Sequence, residues 1–186
     1  MERGENQLSM EELEEKGKVE QRIIADLRSN NERKIIGALK LVPHEGTPNM
    51  IVPMFELMLR PMNEEVKMLL EKTLHNLKDP NCVDPLISLL EQKKYCDIQA
   101  AVLTSIWQSG LDVTEHIEIL VETAINGDYM TVIEVITIIE NLEFNNDAGL
   151  THAIKRMDQA VEVKSEAQTV LTSLCQLLLD KLLGEQ

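Results

Sequence analysis

Residues 51–58, Ile-Val-Pro-Met-Phe-Glu-Leu-Met, place Ile51, Met54, Phe55 and Met58 at i, i+3, i+4 and i+7, the spacing that gathers four apolar side chains on one face of a helix. The same stripe returns as Val83, Leu86, Ile87 and Leu90, again as Ile117, Leu120, Val121 and Ala124, and once more as Leu150, Ala153, Ile154 and Met157. Successive starts lie 32, 34 and 33 residues apart. A fixed period of this length marks stacked supersecondary units, each too small to bury its own apolar face.

Between these stripes runs a second series of the same helical spacing. It reads Ile35, Ala38, Leu39, Val42, then Val66, Leu69, Leu70, Thr73, then Ile98, Ala101, Val102, Ser105. It continues through Val132, Val135, Ile136, Ile139 and on to Ala167, Val170, Leu171, Leu174. Each period therefore holds two amphipathic helices, and no segment alternates polar and apolar residues long enough to make a strand. The expected fold class is all-α.

Punctuation falls between the stripes. Thr47 before Pro48 offers a hydroxyl cap and a fixed φ at a helix start, and Asn31, Asn63, Thr114, Asp128 and Ser165 precede other helices. Ser165 with Gln168 matches a capping box, and Ser9 with Glu12 is placed to cap a helix. Gly46, Asp79-Pro80, Gly110 and Asn126-Gly127 supply turn chemistry. Residues 1–8 are polar and read as a mobile tail, and 9–30 read as a capping helix whose Ile23, Ile24 and Leu27 close one end of an array filling 31–186. Leu174, Leu177, Leu178, Leu182 and Leu183 extend the last helix as the opposite cap.

Composition restricts function. The chain has 186 residues, 44% of them apolar, enough for one packed domain or a short array and too few for two full enzyme domains. With 32 acidic against 18 basic residues the net charge is −14, opposite in sign to what phosphate binding requires, so neither nucleic acid nor an anionic membrane is an expected partner. The acidic start, with Glu2, Glu5, Glu11, Glu12, Glu14, Glu15 and Glu20, is the reverse of a secretory signal. Cys82, Cys96 and Cys175 are scattered and odd in number, which reads as buried reduced thiols in a cytoplasmic protein.

Helix pairs every 30 to 35 residues, with Pro53 and Pro85 at equivalent positions of successive second helices, resemble the HEAT/armadillo α-solenoid repeats, above all the compact HEAT-like repeats of bacterial proteins. The resemblance covers residues 31–183, about four and a half helix pairs by the period. The period is shorter than the roughly 40 residues of eukaryotic arrays, and the arginine customary in the family's second helix stands at no regular position. The Trp/Gly/Tyr pattern of tetratricopeptide repeats and the Thr-Pro-Leu-His pattern of ankyrin repeats are both missing. What the resemblance implies is a right-handed α-solenoid, a non-enzymatic scaffold presenting a concave surface lined by the second helices.

On such a surface the residues one and five places after each stripe start face away from the core: Val52 and Glu56, Asp84 and Ser88, Glu118 and Glu122, Thr151 and Lys155, with Glu91 one turn further along. Between Lys94 and Lys155 there is no Lys or Arg, while Asp97, Asp112, Glu115, Glu118, Glu122, Asp128, Glu134, Glu140, Glu143 and Asp147 all fall there. Glu118 and Glu122 are like charges at i, i+4, an arrangement that weakens an isolated helix. The residues expected to bind a partner are therefore Glu56, Asp84, Ser88, Glu91, Glu118 and Glu122, and the expected partner is a basic protein or peptide segment, steered by charge and weakened by salt. The alternative is that acidic faces only keep the protein soluble.

No catalytic, cofactor or metal residue is expected. Glu71 with His75, and Glu115, His116 and Glu118, fall short of the three or four converging ligands a metal needs. Cys96 lacks a basic residue or histidine just downstream to activate it, and Trp107 reads as a packing residue. No phosphate loop, nucleophile elbow or nucleotide fingerprint is present. A base-excising glycosylase of HEAT-like build needs a cationic groove and is disfavoured. A lyase-like HEAT enzyme or enzyme subunit, and a homo-oligomer built on exposed Val52, Leu59 and Ile125, stay open as rivals.

Overall fold

The computed structural model describes residues 10–144, 148–161 and 168–184, and among them it is all-helical, with ten α-helices and no strand. Residues 1–8, Ser9, Asp147, Ser165 and Ala167 of the expectations above lie outside the described residues. The chain divides into two compact units, Met1–Thr73 and Leu74–Gln186.

In the first unit, α1 (Met10–Leu27) packs against α2 (Glu32–Glu45) and α3 (Ile51–Met58). The stripe Ile35, Ala38, Leu39 and Val42 is buried on α2, and Ile23 and Leu27 are buried on α1. Asn31 accepts the amides of Arg33 and Lys34 at 3.0 and 3.4 Å, satisfying donors that the first turn of α2 leaves without partners. Thr47 does not cap. The chain enters α3 through a 3-10 turn, Pro48–Met50, and the Thr47 hydroxyl donates instead to Glu20 on α1 at 2.9 Å, where the Asn49 amide joins it at 2.7 Å. At the end of α1 the Arg60 guanidinium donates to the carbonyls of Leu27, Ser29 and Arg28 at 2.9, 3.3 and 3.4 Å. A fourth helix, α4 (Glu64–Leu74), begins with Asn63 accepting the Val66 amide at 2.9 Å.

The second unit holds α5 (Val83–Glu91), α6 (Gln99–Ser109), α7 (Ile117–Asn126), α8 (Tyr129–Asn141), α9 (Ala148–Val161) and α10 (Gln168–Leu183). Helix α7 packs against both α5 and α9, and α8 packs against both α6 and α10; the pairs α5 with α6, α7 with α8, and α9 with α10 join the two rows. The stripes of α7 and α9 are buried at every position. On α5 the edge shifts, with Leu89 fully buried and Val83 only half-buried, because a helix flanked on two sides buries an arc wider than four residues.

Helix ends are closed by side chains from neighbouring segments. Ser109 at the end of α6 donates to the Leu74 carbonyl at 3.1 Å and accepts the Leu77 amide at 3.2 Å. Lys181 on α10 donates to the Glu140 and Leu142 carbonyls at the C-terminal end of α8 at 3.0 and 2.9 Å, placing a cation where the helix dipole is negative. Gly110 ends α6 at φ +64°, with the Leu111 amide closing onto the Ile106 carbonyl at 3.3 Å, a Schellman turn in the left-handed region glycine tolerates. No described helix is long and apolar enough to cross a membrane. Of the apolar residues expected on the surface, Leu59 is exposed, whereas Val52 and Ile125 are half-buried.

Candidate functional site

Helix α7 is positioned by the turn before it. Asp112 accepts the Thr114 hydroxyl at 2.6 Å and its amide at 3.0 Å, so Thr114 acts as donor and the cap expected of it is supplied by Asp112. The Thr114 hydroxyl, then its amide, hold the Asp112 carboxyl below the usual carboxylate range. The chain passes through Thr114–His116 into α7 with Ile117, Leu120, Val121 and Ala124 turned into the core. Thr123 is buried too, its hydroxyl satisfied by the Ile119 carbonyl at 2.7 Å. Helical geometry then leaves Glu118 exposed and Glu122 half-buried on the other side.

Between α5 and α7 lies a cavity of about 750 Å³. Its acidic lining is Glu91 from the last turn of α5 with Glu118 and Glu122 from α7, and its apolar lining is Leu90 and Ile119. Gln99, Asn126 and Thr123 contribute neutral polar groups, Lys93 one cation and Cys96 one thiol. All three of the neutral polar side chains are fixed by the backbone: the Gln99 amide donates to the Leu90 carbonyl at 2.9 Å, the Asn126 amide to the Glu122 carbonyl at 2.8 Å, and the Thr123 hydroxyl to the Ile119 carbonyl at 2.7 Å. Glu91 and Glu118 are exposed, so solvent reaches the cavity.

On its other side, α7 meets an arginine and a histidine of α9. Arg156 of α9 grips Glu122 with two nitrogens, Nε at 2.5 Å and Nη2 at 3.2 Å, and His152 Nδ1 lies 3.0 Å from Glu118 Oε2. The pairing answers the like-charge repulsion between Glu118 and Glu122 from a neighbouring helix instead of from the same one. Glu122 is thereby compensated, whereas Glu118 faces an imidazole that carries charge only when protonated.

Of the six residues expected to bind a partner, the structure brings Glu91, Glu118 and Glu122 together. Asp84 is exposed in the first turn of α5, and Ser88 is half-buried and accepts the Gln92 amide at 2.9 Å; neither lines the cavity. Glu56 belongs to the first unit, where Arg28 lies 3.5 Å from it. Sequence reasoning passed over His152, Arg156, Ile119, Thr123 and Lys93. The available signal was that His152 and Arg156 repeat the four-residue spacing of Glu118 and Glu122, 34 residues later.

The thiols differ from their expected uniform burial. Cys82 and Cys175 are buried, and Cys96 is exposed, its thiol 3.4 Å from Asp97. Burial pushes the Cys175 thiol up to about 11, helped by Asp158, which accepts its hydrogen bond at 3.2 Å. Trp107 is half-buried with its indole N–H donated to Glu134 at 2.6 Å, beside a smaller cavity of about 360 Å³ that also touches Asp112, Asn141 and Glu143. Among the described residues no group of three or more His, Cys, Asp or Glu is placed to hold a metal ion.

Chemically, three carboxylates around an apolar floor suit a cationic group carried on an aliphatic stem. No family model, curated protein or solved structure matches this chain.

Proposed function

We propose that the second unit is a HEAT-like α-solenoid stack that acts as a non-enzymatic binding platform, taking a basic protein or peptide segment against α5 and α7. One observation carries the reading: Glu91, Glu118 and Glu122, on two different helices, converge on a single solvent-reached cavity with Leu90 and Ile119 in its walls. The stack is supported by the contacts within Leu74–Gln186, where α5, α7 and α9 neighbour one another in series and α6, α8 and α10 do the same. The sign of the partner is supported by the absence of Lys and Arg from 95 to 154. A cytoplasmic setting agrees with three cysteines outside any disulfide.

The test is binding of a fluorescent Lys/Arg-rich peptide by the full chain, and by the double variant Glu91→Lys, Glu118→Lys once circular dichroism shows its helices intact. Expected is saturable binding that weakens as salt rises and is lost in the double variant. Binding that survives charge reversal undiminished sinks the reading.

A further inference from the structure

Helix α7 meets its two neighbours unlike. Toward α9 the gap is crossed by His152 and Arg156, the third and seventh residues of the stripe that starts at Leu150, and they reach Glu118 and Glu122. In the stripe that starts at Ile117, the third and seventh residues of α7 are Ile119 and Thr123. Both are uncharged and too short to bridge to α5, and both line the cavity of about 750 Å³. Where Arg156 and His152 bridge from α9 to the carboxylates of α7, no such arm runs from α7 to α5: the cavity there is walled by Glu91 of α5 with Glu118 and Glu122 of α7, while Asp84 and Ser88, the α5 counterparts of Glu118 and Glu122, lie outside it.

We infer that this cavity accepts an arginine side chain from the basic partner, doing between α5 and α7 what Arg156 does between α7 and α9. The inference rests on the basic-partner reading above and names the position and the residue. The aliphatic stem lies along Leu90 and Ile119, and the guanidinium is received by Glu91 and Glu118, the two exposed carboxylates of the lining. Glu122 is already held by Arg156. Arginine is favoured over lysine because its planar fork spreads five donors over more than one carboxylate and is less strongly hydrated than an ammonium. Lys93, itself in the lining, is exposed.

The test uses the full chain with three fluorescein-labelled synthetic peptides of equal length, an Arg-Ala repeat, a Lys-Ala repeat and a Glu-Ala repeat, followed by anisotropy at low salt. The Arg-Ala peptide binds several-fold tighter than Lys-Ala, and Glu-Ala does not bind. Ile119→Arg supplies the missing arm from the chain itself, and Glu91→Gln discharges one wall. Each lowers Arg-Ala affinity about tenfold, with helix content unchanged, whereas Glu140→Gln, on α8 and outside the cavity, leaves it unaltered. If Arg-Ala binds both cavity variants as well as the native chain, or Lys-Ala binds as tightly as Arg-Ala, the arginine site is wrong and a basic partner bound elsewhere on the chain still stands. If neither basic peptide binds the native chain, the basic-partner reading fails and this inference fails with it.

Discussion

Arg156 and Glu122 form a two-pronged ion pair across α9 and α7, joining positions 34 residues apart with Nε–Oε1 at 2.5 Å. Both side chains keep more than a third of their surface exposed, 38% and 45%, so water and salt screen the pair. Arg156→Ala is therefore expected to cost less than about 1 kcal/mol. The exchange Glu122→Arg with Arg156→Glu recovers most of it, as urea unfolding at low and high salt will show. A loss that is independent of salt and not recovered by the exchange means that Arg156 acts through its packing instead of its charge.

Arg60 closes the C-terminal end of α1 by donating to three successive carbonyls, those of Leu27, Arg28 and Ser29. Those groups have no partner within the helix, and the positive charge faces the negative end of the helix dipole. Arg60→Ala is expected to destabilise the chain by about 1 to 2 kcal/mol, since charge-assisted hydrogen bonds exceed neutral ones. Arg60→Lys recovers only part, because an ammonium lacks the spread of the guanidinium. Equal stability of the alanine variant in urea would remove Arg60 from the account.

What was legible in the sequence was whatever acts within one helix. Ile117, Leu120, Val121 and Ala124 announce a buried face because their spacing matches the helical turn, and all four are buried. Leu89 was not legible as core, since the stripe model allows one seam and α5 is covered from both α6 and α7. The convergence of Glu91 with Glu118 depends on how α5 lies against α7, which no periodicity fixes. Arg156 was hidden for the same reason: a charge map read along the chain counts Glu122 as bare, and only the neighbouring helix brings its partner. Thr47 shows the limit for caps, because residue type permits the bond, yet in the fold no backbone amide is capped by it and its hydroxyl is turned to Glu20 on α1.

Two glycines separate backbone need from mere tolerance. Gly110 sits at φ +64°, where any side chain brings Cβ against the following carbonyl, whereas Gly37 lies inside α2 with nothing within 4 Å of an added Cβ. Gly110→Ala is expected to lose about 1 kcal/mol. Gly37→Ala is expected to gain about 0.5 to 1 kcal/mol by restricting the unfolded chain and favouring the helix. Thermal melts of the two variants should move in opposite directions, and a shift of the same sign in both would contradict the backbone conformations described.

Asp112 and Asp128 give acid sensitivity to the turns before α7 and α8. The Thr131 amide and then its hydroxyl, both at 2.8 Å, hold the Asp128 carboxyl below its ordinary value of 3.8, as Thr114 does for Asp112. Folding lowers both values, so the unfolded chain binds the protons more tightly. The stability the carboxylates contribute is present in full above the ordinary value and is lost as pH falls through the lower folded one. Asp128→Ala is expected to cost about 1 kcal/mol at neutral pH, as N-cap removal does, and to flatten the acid limb of the stability profile below pH 3.8. An acid limb as steep as the native one in the double variant Asp112→Ala, Asp128→Ala would show that other carboxylates govern it.

Cys96 offers a direct probe of the cavity because it lines it and is exposed, while Cys82 and Cys175 are buried. Thiolate is the reactive form, and burial raises both of the other thiols, Cys175 to about 11, which leaves them mostly protonated and shielded at neutral pH. A thiol reagent should therefore label one cysteine quickly in the native chain and all three in denaturant, with Cys96→Ser abolishing the fast phase. The adduct also tests occupancy. A bulky maleimide on Cys96 fills space beside Glu91 and Glu118, so it should lower affinity for the Arg-Ala peptide, while the smaller Cys96→Ser change should not. Quick labelling of Cys82 or Cys175 in the native chain contradicts their burial, and full peptide affinity in the labelled protein places the peptide away from this cavity.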